Sequence, residues 1–128
     1  MKTSLRAAAA AILITLVLIS FKAPTPSLVG RWGWMSNGET QAYINFNQNG
    51  IFNVTSADSG DSVHWGNFKQ VDDTLMISDS DEGCGPGYWG SYQLTFYGPD
   101  SLSMQVISDT CNGRVQGVSG GTLKRMNP

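Results

Sequence analysis

From Leu28 onward, turn residues break the chain about every ten positions, and the runs between them carry no helical period. Each run is short, and in most of them apolar residues alternate with polar ones. Alternation puts every second side chain on the same face of an extended strand, so such a run can bury one face and wet the other. The spacing predicts strands at Val29–Met35, Thr40–Phe46, Ile51–Ser56, Ser62–Gln70, Thr74–Asp79, Ser91–Tyr97, Ser101–Ile107 and Thr122–Met126. Ala42, Ile44 and Phe46 alternate in the second run, Leu75 and Ile77 in the fifth, and Tyr92, Leu94 and Phe96 in the sixth. The intervening segments, Ser36-Asn37-Gly38, Asn47-Gln48-Asn49-Gly50, Asp58-Ser59-Gly60-Asp61, Val71-Asp72-Asp73 and Gly98-Pro99-Asp100, are rich in residues that favour tight turns. Gly66, inside the fourth run, reads as a bulge or sharp bend.

Consecutive hairpins of this kind build an up-and-down antiparallel meander. Closing it removes the two exposed edges, so the expected fold is all-β, an eight-stranded up-and-down antiparallel barrel over residues 28–126. An open sandwich of the same strands is the alternative.

The first 27 residues read differently. Lys2 and Arg6 precede the apolar run Ala7 to Phe21, and Lys22-Ala23-Pro24-Thr25-Pro26-Ser27 follows as a polar, proline-broken segment. That order matches a secretory signal, and the apolar run is shorter than the roughly 20 residues of a membrane-spanning helix. Cleavage after Ala23 or Ser27 would release the barrel; without cleavage the segment stays as an anchor, the one case in which membrane contact is expected. Beyond Ser27 remain five Lys/Arg against ten Asp/Glu, a net charge of −5 with no basic cluster. Nucleic acid is therefore a poor partner. The two cysteines, Cys84 and Cys111, suit the oxidising compartment that a signal implies, periplasmic or secreted, and are expected to form a disulfide. They lie in the loops that precede and follow one predicted hairpin, whose open ends meet at the same barrel rim.

Gly30-Arg31-Trp32 on the first strand and Arg125 on the last resemble the pattern of the lipocalin and wider calycin families. Asp109-Thr110-Cys111-Asn112-Gly113-Arg114 resembles a segment of small bacterial lipocalin-like domains. The first resemblance implies a barrel whose closed end is sealed by Trp32, with the Arg125 cation across its ring, and Gly30 beside it. Two other short exported barrels share the outline: the bacterial metalloprotease inhibitors, with a closing L-x-R (here Leu123-Lys124-Arg125), and the avidin-like barrels.

Candidate site residues are few, and none carries a catalytic, metal or cofactor signature. The single histidine, His64, alternates away from Val63 and Trp65 and is expected on the barrel surface; no G-x-S-x-G elbow accompanies it. Asp79-Ser80-Asp81-Glu82-Gly83 begins like a calcium loop but lacks the remaining ligand positions, so a solvated loop is expected. Asp109 and Arg114 flank Cys111 with opposite charges and are expected to pair and pin that loop. Trp34, Tyr43, Trp65, Tyr88, Trp89, Tyr92 and Tyr97 carry polar-tipped or large aromatic rings, the residues that meet ligands and partners but equally fill cores. Of these, Tyr88, Trp89, Trp34 and Tyr43 are the candidate rim. The expected function is a non-enzymatic barrel holding a small apolar or amphipathic molecule. The alternative is a protein-interaction or protease-inhibitor barrel acting through its loops or N-terminal arm. An interior cavity of about 300 Å³ or more would favour the first.

Overall fold

Tight turns set the hairpins. In a computed structural model describing residues 23–80 and 84–127, β1 (Gly30–Ser36) and β2 (Glu39–Phe46) are joined by Asn37 and Gly38, both at positive φ. Asn and Gly tolerate that region, and two such residues in succession twist a hairpin in the hand of its strands. β3 (Ile51–Ser56), β4 (Ser62–Val71), β5 (Thr74–Asp79), β6 (Gly90–Phe96) and β7 (Ser101–Ser108) follow, then a short helix α1 (Asn112–Val118) and β8 (Thr122–Arg125). Each strand begins and ends within one residue of its expected position. Residues 1–22, the greater part of the segment 1–27 for which a signal or anchor is expected, lie outside the described residues, as do Asp81, Glu82 and Gly83.

Every strand pairs antiparallel with its sequence neighbour, and β1 pairs with β8 through Trp32↔Arg125 and Trp34↔Leu123, so the sheet closes into a barrel. This settles the choice against an open sandwich. The connection order places the β2–β3, β4–β5 and β6–β7 turns at one end and the remaining loops at the other.

The first end is filled. Leu28, Trp32, Phe46, Phe52, Phe68, Leu75, Leu94, Leu102 and Leu123 are all buried and form one cluster. Phe46 meets Phe68 edge-on with ring centroids 4.9 Å apart. The chain before β1 crosses beneath them, where Gln70 holds it by accepting from the Leu28 N–H and donating to the Pro26 carbonyl, both at 2.8 Å. The Trp32 indole N–H donates to the Leu28 carbonyl at 2.8 Å, which satisfies the one polar atom of a fully buried ring. Arg125 lies with its guanidinium 4.2 Å from the Trp32 ring centroid and donates to the carbonyls of Ser27, Val29 and Pro99. Gly30 sits at φ 130°, where a Cβ would come within 3.1 Å of the Arg125 guanidinium. Its lack of a side chain makes room for that cation.

Two expectations about β4 need correction. The strand buries Gly66 and Phe68 and turns His64 inward with them, leaving Val63 and Trp65 exposed. Phe68 decides the phase: it pairs with the inward Ile77 and packs on Phe46, and strand alternation then carries Gly66 and His64 to the same face. Gly66 is not a bulge either. The register shift lies earlier in β4, where Val63 is the extra residue between the pairs Val54↔His64 and Thr55↔Ser62, whereas a Cβ on Gly66 would overlap the Ser78 carbonyl oxygen of β5. The glycine permits the close approach of β4 and β5.

Helix α1 is a further departure from the all-strand expectation. Its sequence, NGRVQGV, holds two glycines and no apolar stripe, and each glycine costs about 1 kcal/mol against alanine in a helix. Tertiary contacts hold it instead: the disulfide at Cys111, immediately before its first turn, and the buried Arg114 within it.

Candidate functional site

The second end of the barrel is hollow. A cavity of about 570 Å³ lies above the aromatic floor, walled by Trp34, Ala42, Ile44, Phe46, Phe52, Val54, Ile77 and Met104. These are inward positions of β1, β2, β3, β5 and β7, so strand alternation alone makes the walls apolar. Cys84, Cys111, Gly113, Gly117 and Val118 line it from the disulfide and α1. A second hollow of about 640 Å³ beside the β1–β2 turn is lined mostly by glycines and by Ser36, Asn37, Gln116, Ser119, Thr122 and Lys124. It offers little apolar surface to a small molecule, so the barrel interior is the candidate site.

Polar groups enter the cavity at one place. Arg114, on α1, is buried, and its Nε and Nη2 donate to the two oxygens of Asp109 at 2.6 and 2.8 Å. Nη2 also donates to the Tyr88 carbonyl at 2.8 Å, and Nη1 lies 3.0 Å from Asp79 Oδ2. Asp109 further accepts from the Cys111 N–H at 2.9 Å and, through a short hydrogen bond, from the Tyr92 hydroxyl. A Cβ on Gly90 would overlap the Asp109 carboxylate, so the start of β6 must be glycine for this packing. Asp79, the last residue of β5, continues the inward phase of Leu75 and Ile77 and meets His64 Nε2 at 2.9 Å through Oδ1. The cluster thus ties together β4, β5, β6, the segment after β7, and α1.

Its electrostatics follow from burial and pairing. Burial alone would raise the Asp109 carboxyl, but the hydrogen bonds from Arg114, Tyr92 and the Cys111 N–H outweigh it and hold the group below the ordinary carboxylate range. Burial, then the hydrogen bond and charge of Asp109, push the Tyr92 hydroxyl well above the ordinary phenol range. The hydrogen bond with Asp109 raises Arg114 further despite its burial. At neutral pH, Asp109 is therefore a carboxylate, Tyr92 a neutral donor and Arg114 a cation.

The structure distributes the sequence-derived candidates among three places. Trp34 lines the cavity, with its ring in the place a Cβ on Gly121 would occupy. Tyr88 and Trp89 lie exposed on the loop before β6, where Lys69 sits 4.9 Å from the Trp89 ring centroid. Tyr43 does not reach the rim. It points outward from β2, with the Arg31 guanidinium 4.1 Å above its ring, because Ala42 and Ile44 hold the inward phase. Cys84 and Cys111 are joined in a disulfide with Cα atoms 5.8 Å apart, at the rim where the hairpin argument puts them. Asp109 and Arg114 pair, and they do so buried rather than at the surface.

His64, expected on the surface, and Asp79, expected at the head of a solvated loop, both lie on the cavity wall. Asp79 was detectable: an acid in the inward phase of an otherwise apolar strand has to find a buried partner. Its partner, Arg114, lies in a segment with no signal linking it to β5.

Chemically, the cluster is a paired-charge end to an apolar chamber. Among the described lining residues, His64 and Asp79 form a hydrogen-bonded dyad with no serine or threonine beside them, and both cysteines are oxidised. Oxygen of Asp79 and the sulfurs of Cys84 and Cys111 lie within 4.8 Å of one another. Disulfide sulfurs lack thiolate charge, and Arg114 already neutralises the carboxylate, so this oxidised trio is a poor metal cage. No protein-family model matches this chain and no curated protein emerges as its relative, so the geometry of this chamber is what any reading of function has to rest on.

Proposed function

We propose that this chain is an exported, non-enzymatic, lipocalin-like barrel that holds a small apolar or amphipathic molecule in its interior. The observation that carries this reading is the cavity itself. At about 570 Å³ it falls within the range of roughly 300–1,000 Å³ common to small-molecule sites, and its walls are apolar with a few convergent polar groups at one end. A barrel of eight strands is just wide enough to be filled by its own side chains. Here the floor is filled and the upper half is not. The disulfide is compatible with an oxidising compartment, which supports export, and the G-x-W and Arg125 arrangement supports the lipocalin-like assignment.

Fluorescence titration with N-phenylnaphthylamine, a neutral apolar dye, tests the reading. Saturable binding at one dye per barrel is expected. Ala42→Phe, which places a ring inside the cavity, should weaken it by about tenfold or more, near 1.4 kcal/mol. A protein that leaves the dye's fluorescence unchanged would overturn the proposal. The exposed Tyr88 and Trp89 favour the second reading, a protein partner met by this loop. In that case Tyr88→Ala and Trp89→Ala would abolish partner binding and leave the dye titration unaltered.

A further inference from the structure

The interior cavity opens along one face of α1. Among the described residues that line it, only Gly113 and Gly117 are exposed, and the others are buried or half-buried. The two glycines lie four positions apart on the helix, so they share a face. A Cβ on either would meet no atom within 4 Å. Packing therefore does not call for glycine here, and each glycine weakens the helix relative to alanine. Their missing side chains leave a gap in the mouth of the barrel.

The gap borders the second hollow. Gly117 and Trp34 line both spaces, so the apolar chamber and the outer hollow of about 640 Å³ adjoin at these two residues. The outer hollow is polar. Ser36, Asn37, Gln116, Ser119 and Thr122 line it, and among the described residues no side-chain hydrogen bond engages any of them. Each carries a hydroxyl or an amide, which both donates and accepts. The charged residue of the described lining is Lys124, which is exposed. A single charge in water attracts an anion weakly, and it repels a cation. An anionic head would also only accept, leaving the amide oxygens of Asn37 and Gln116 to water. A head with several hydroxyls matches the whole lining, because each of its hydroxyls likewise donates and accepts.

We infer that the outer hollow is the head-group subsite of an amphipath whose apolar chain lies in the barrel. Its head is uncharged and rich in hydroxyls, as a sugar is, and emerges past Gly117 onto Asn37, Gln116 and their neighbours. The inference rests on the ligand-cavity reading and deepens it: the chamber takes the chain and the hollow selects the head.

Displacement of N-phenylnaphthylamine by decyl glucoside, decanol, decyl phosphate and decyltrimethylammonium, each below its micelle concentration, provides the test. Decyl glucoside should displace the dye at concentrations about tenfold lower than the other three, the effect of one or two net hydrogen bonds. Decanol matching the glucoside overturns the subsite and leaves the cavity reading intact. Either charged probe matching or surpassing the glucoside overturns the uncharged head, again with the cavity reading intact. If neither the dye nor any probe binds, the cavity reading falls and this inference falls with it. The double variant Asn37→Gly, Gln116→Ala supplies an independent readout. Asn37 sits at φ 52°, which glycine adopts freely, and alanine favours the helix at position 116, so both changes keep the fold. In that variant the advantage of decyl glucoside over decanol should shrink to about threefold or less, with dye and decanol binding as in the parent. An undiminished advantage overturns the placement of the head on these side chains.

Discussion

The two ends of this barrel solve the closure problem in opposite ways. At the floor, apolar side chains from all eight strands form one cluster, and the Arg125 cation stays partly in water and lies over Trp32. At the mouth, a disulfide, a seven-residue helix and a buried Arg–Asp cluster span the opening, and apolar contact is left unsatisfied in the chamber below. The comparison separates two jobs. The floor removes apolar area from water and supplies stability without regard to direction. The mouth positions groups, through bonds whose geometry is specific and whose charges are costly to bury unless all are paired.

Removing one central group from each end should therefore cost similar free energy and release different things. Trp32→Ala empties the floor, with an expected loss of about 3–5 kcal/mol. Asp109→Ala leaves Arg114 with a single carboxylate and strands the Tyr92 hydroxyl, also worth about 3–5 kcal/mol. Hydrogen exchange distinguishes them. Trp32→Ala should accelerate exchange throughout the strands, whereas Asp109→Ala should first expose the amides of α1 and the segment 109–121. A Trp32→Ala protein that melts within a degree or two of the parent would remove the floor from this account.

Next in size is the disulfide. Replacing Cys84 and Cys111 by serine opens a loop of 27 residues, with an expected loss of about 3–4 kcal/mol on the chain-entropy estimate. Because the bond anchors α1 rather than the floor, dye binding should weaken more than the core strands lose protection. Equal losses in both would mean that mouth and floor unfold as one unit. Two free thiols per chain in denatured, unreduced protein would show that the bond does not form.

The smallest effect is on pH dependence, and it belongs to the mouth alone. A carboxyl held below its ordinary range stabilises the fold fully above its unfolded pKa, about 3.9 for aspartate. That contribution fades as pH falls from there through the folded value, so Asp109→Asn should flatten the acid limb of a stability–pH curve. Tyr92 has the opposite sign. Its raised hydroxyl favours the fold below the unfolded pKa of about 10 and loses that contribution as pH climbs higher, so Tyr92→Phe should flatten the alkaline limb. Urea melts across pH measure both, and an acid limb unchanged in Asp109→Asn would contradict the pairing derived for the cluster.

Much of the floor was legible before any coordinates. Tight-turn residues marked the ends of five hairpins, alternation in β2, β5 and β6 named the inward residues, and the Gly30, Trp32 and Arg125 pattern located the closed end. The turn and alternation signals are local, because a strand's period and a turn's φ depend on neighbours in sequence; the Trp32 and Arg125 pair comes from the family resemblance. The disulfide was legible for the same reason, since its two loops flank a single hairpin.

Tertiary structure decided the rest. Val63 and Trp65 look as apolar as Phe68, so the pattern of β4 points His64 to the surface, and only the contacts of Phe68 with Phe46 and Ile77 turn it inward. Helix α1 has no propensity or stripe to announce it and is held by a bond and an ion-pair cluster made to other segments. Asp79 and Arg114 lie far apart in sequence, and nothing in either neighbourhood names the other. The cavity is the extreme case. It is the volume that no side chain fills, set by barrel closure and by the sum of all inward side chains, so no single stretch of sequence can encode it.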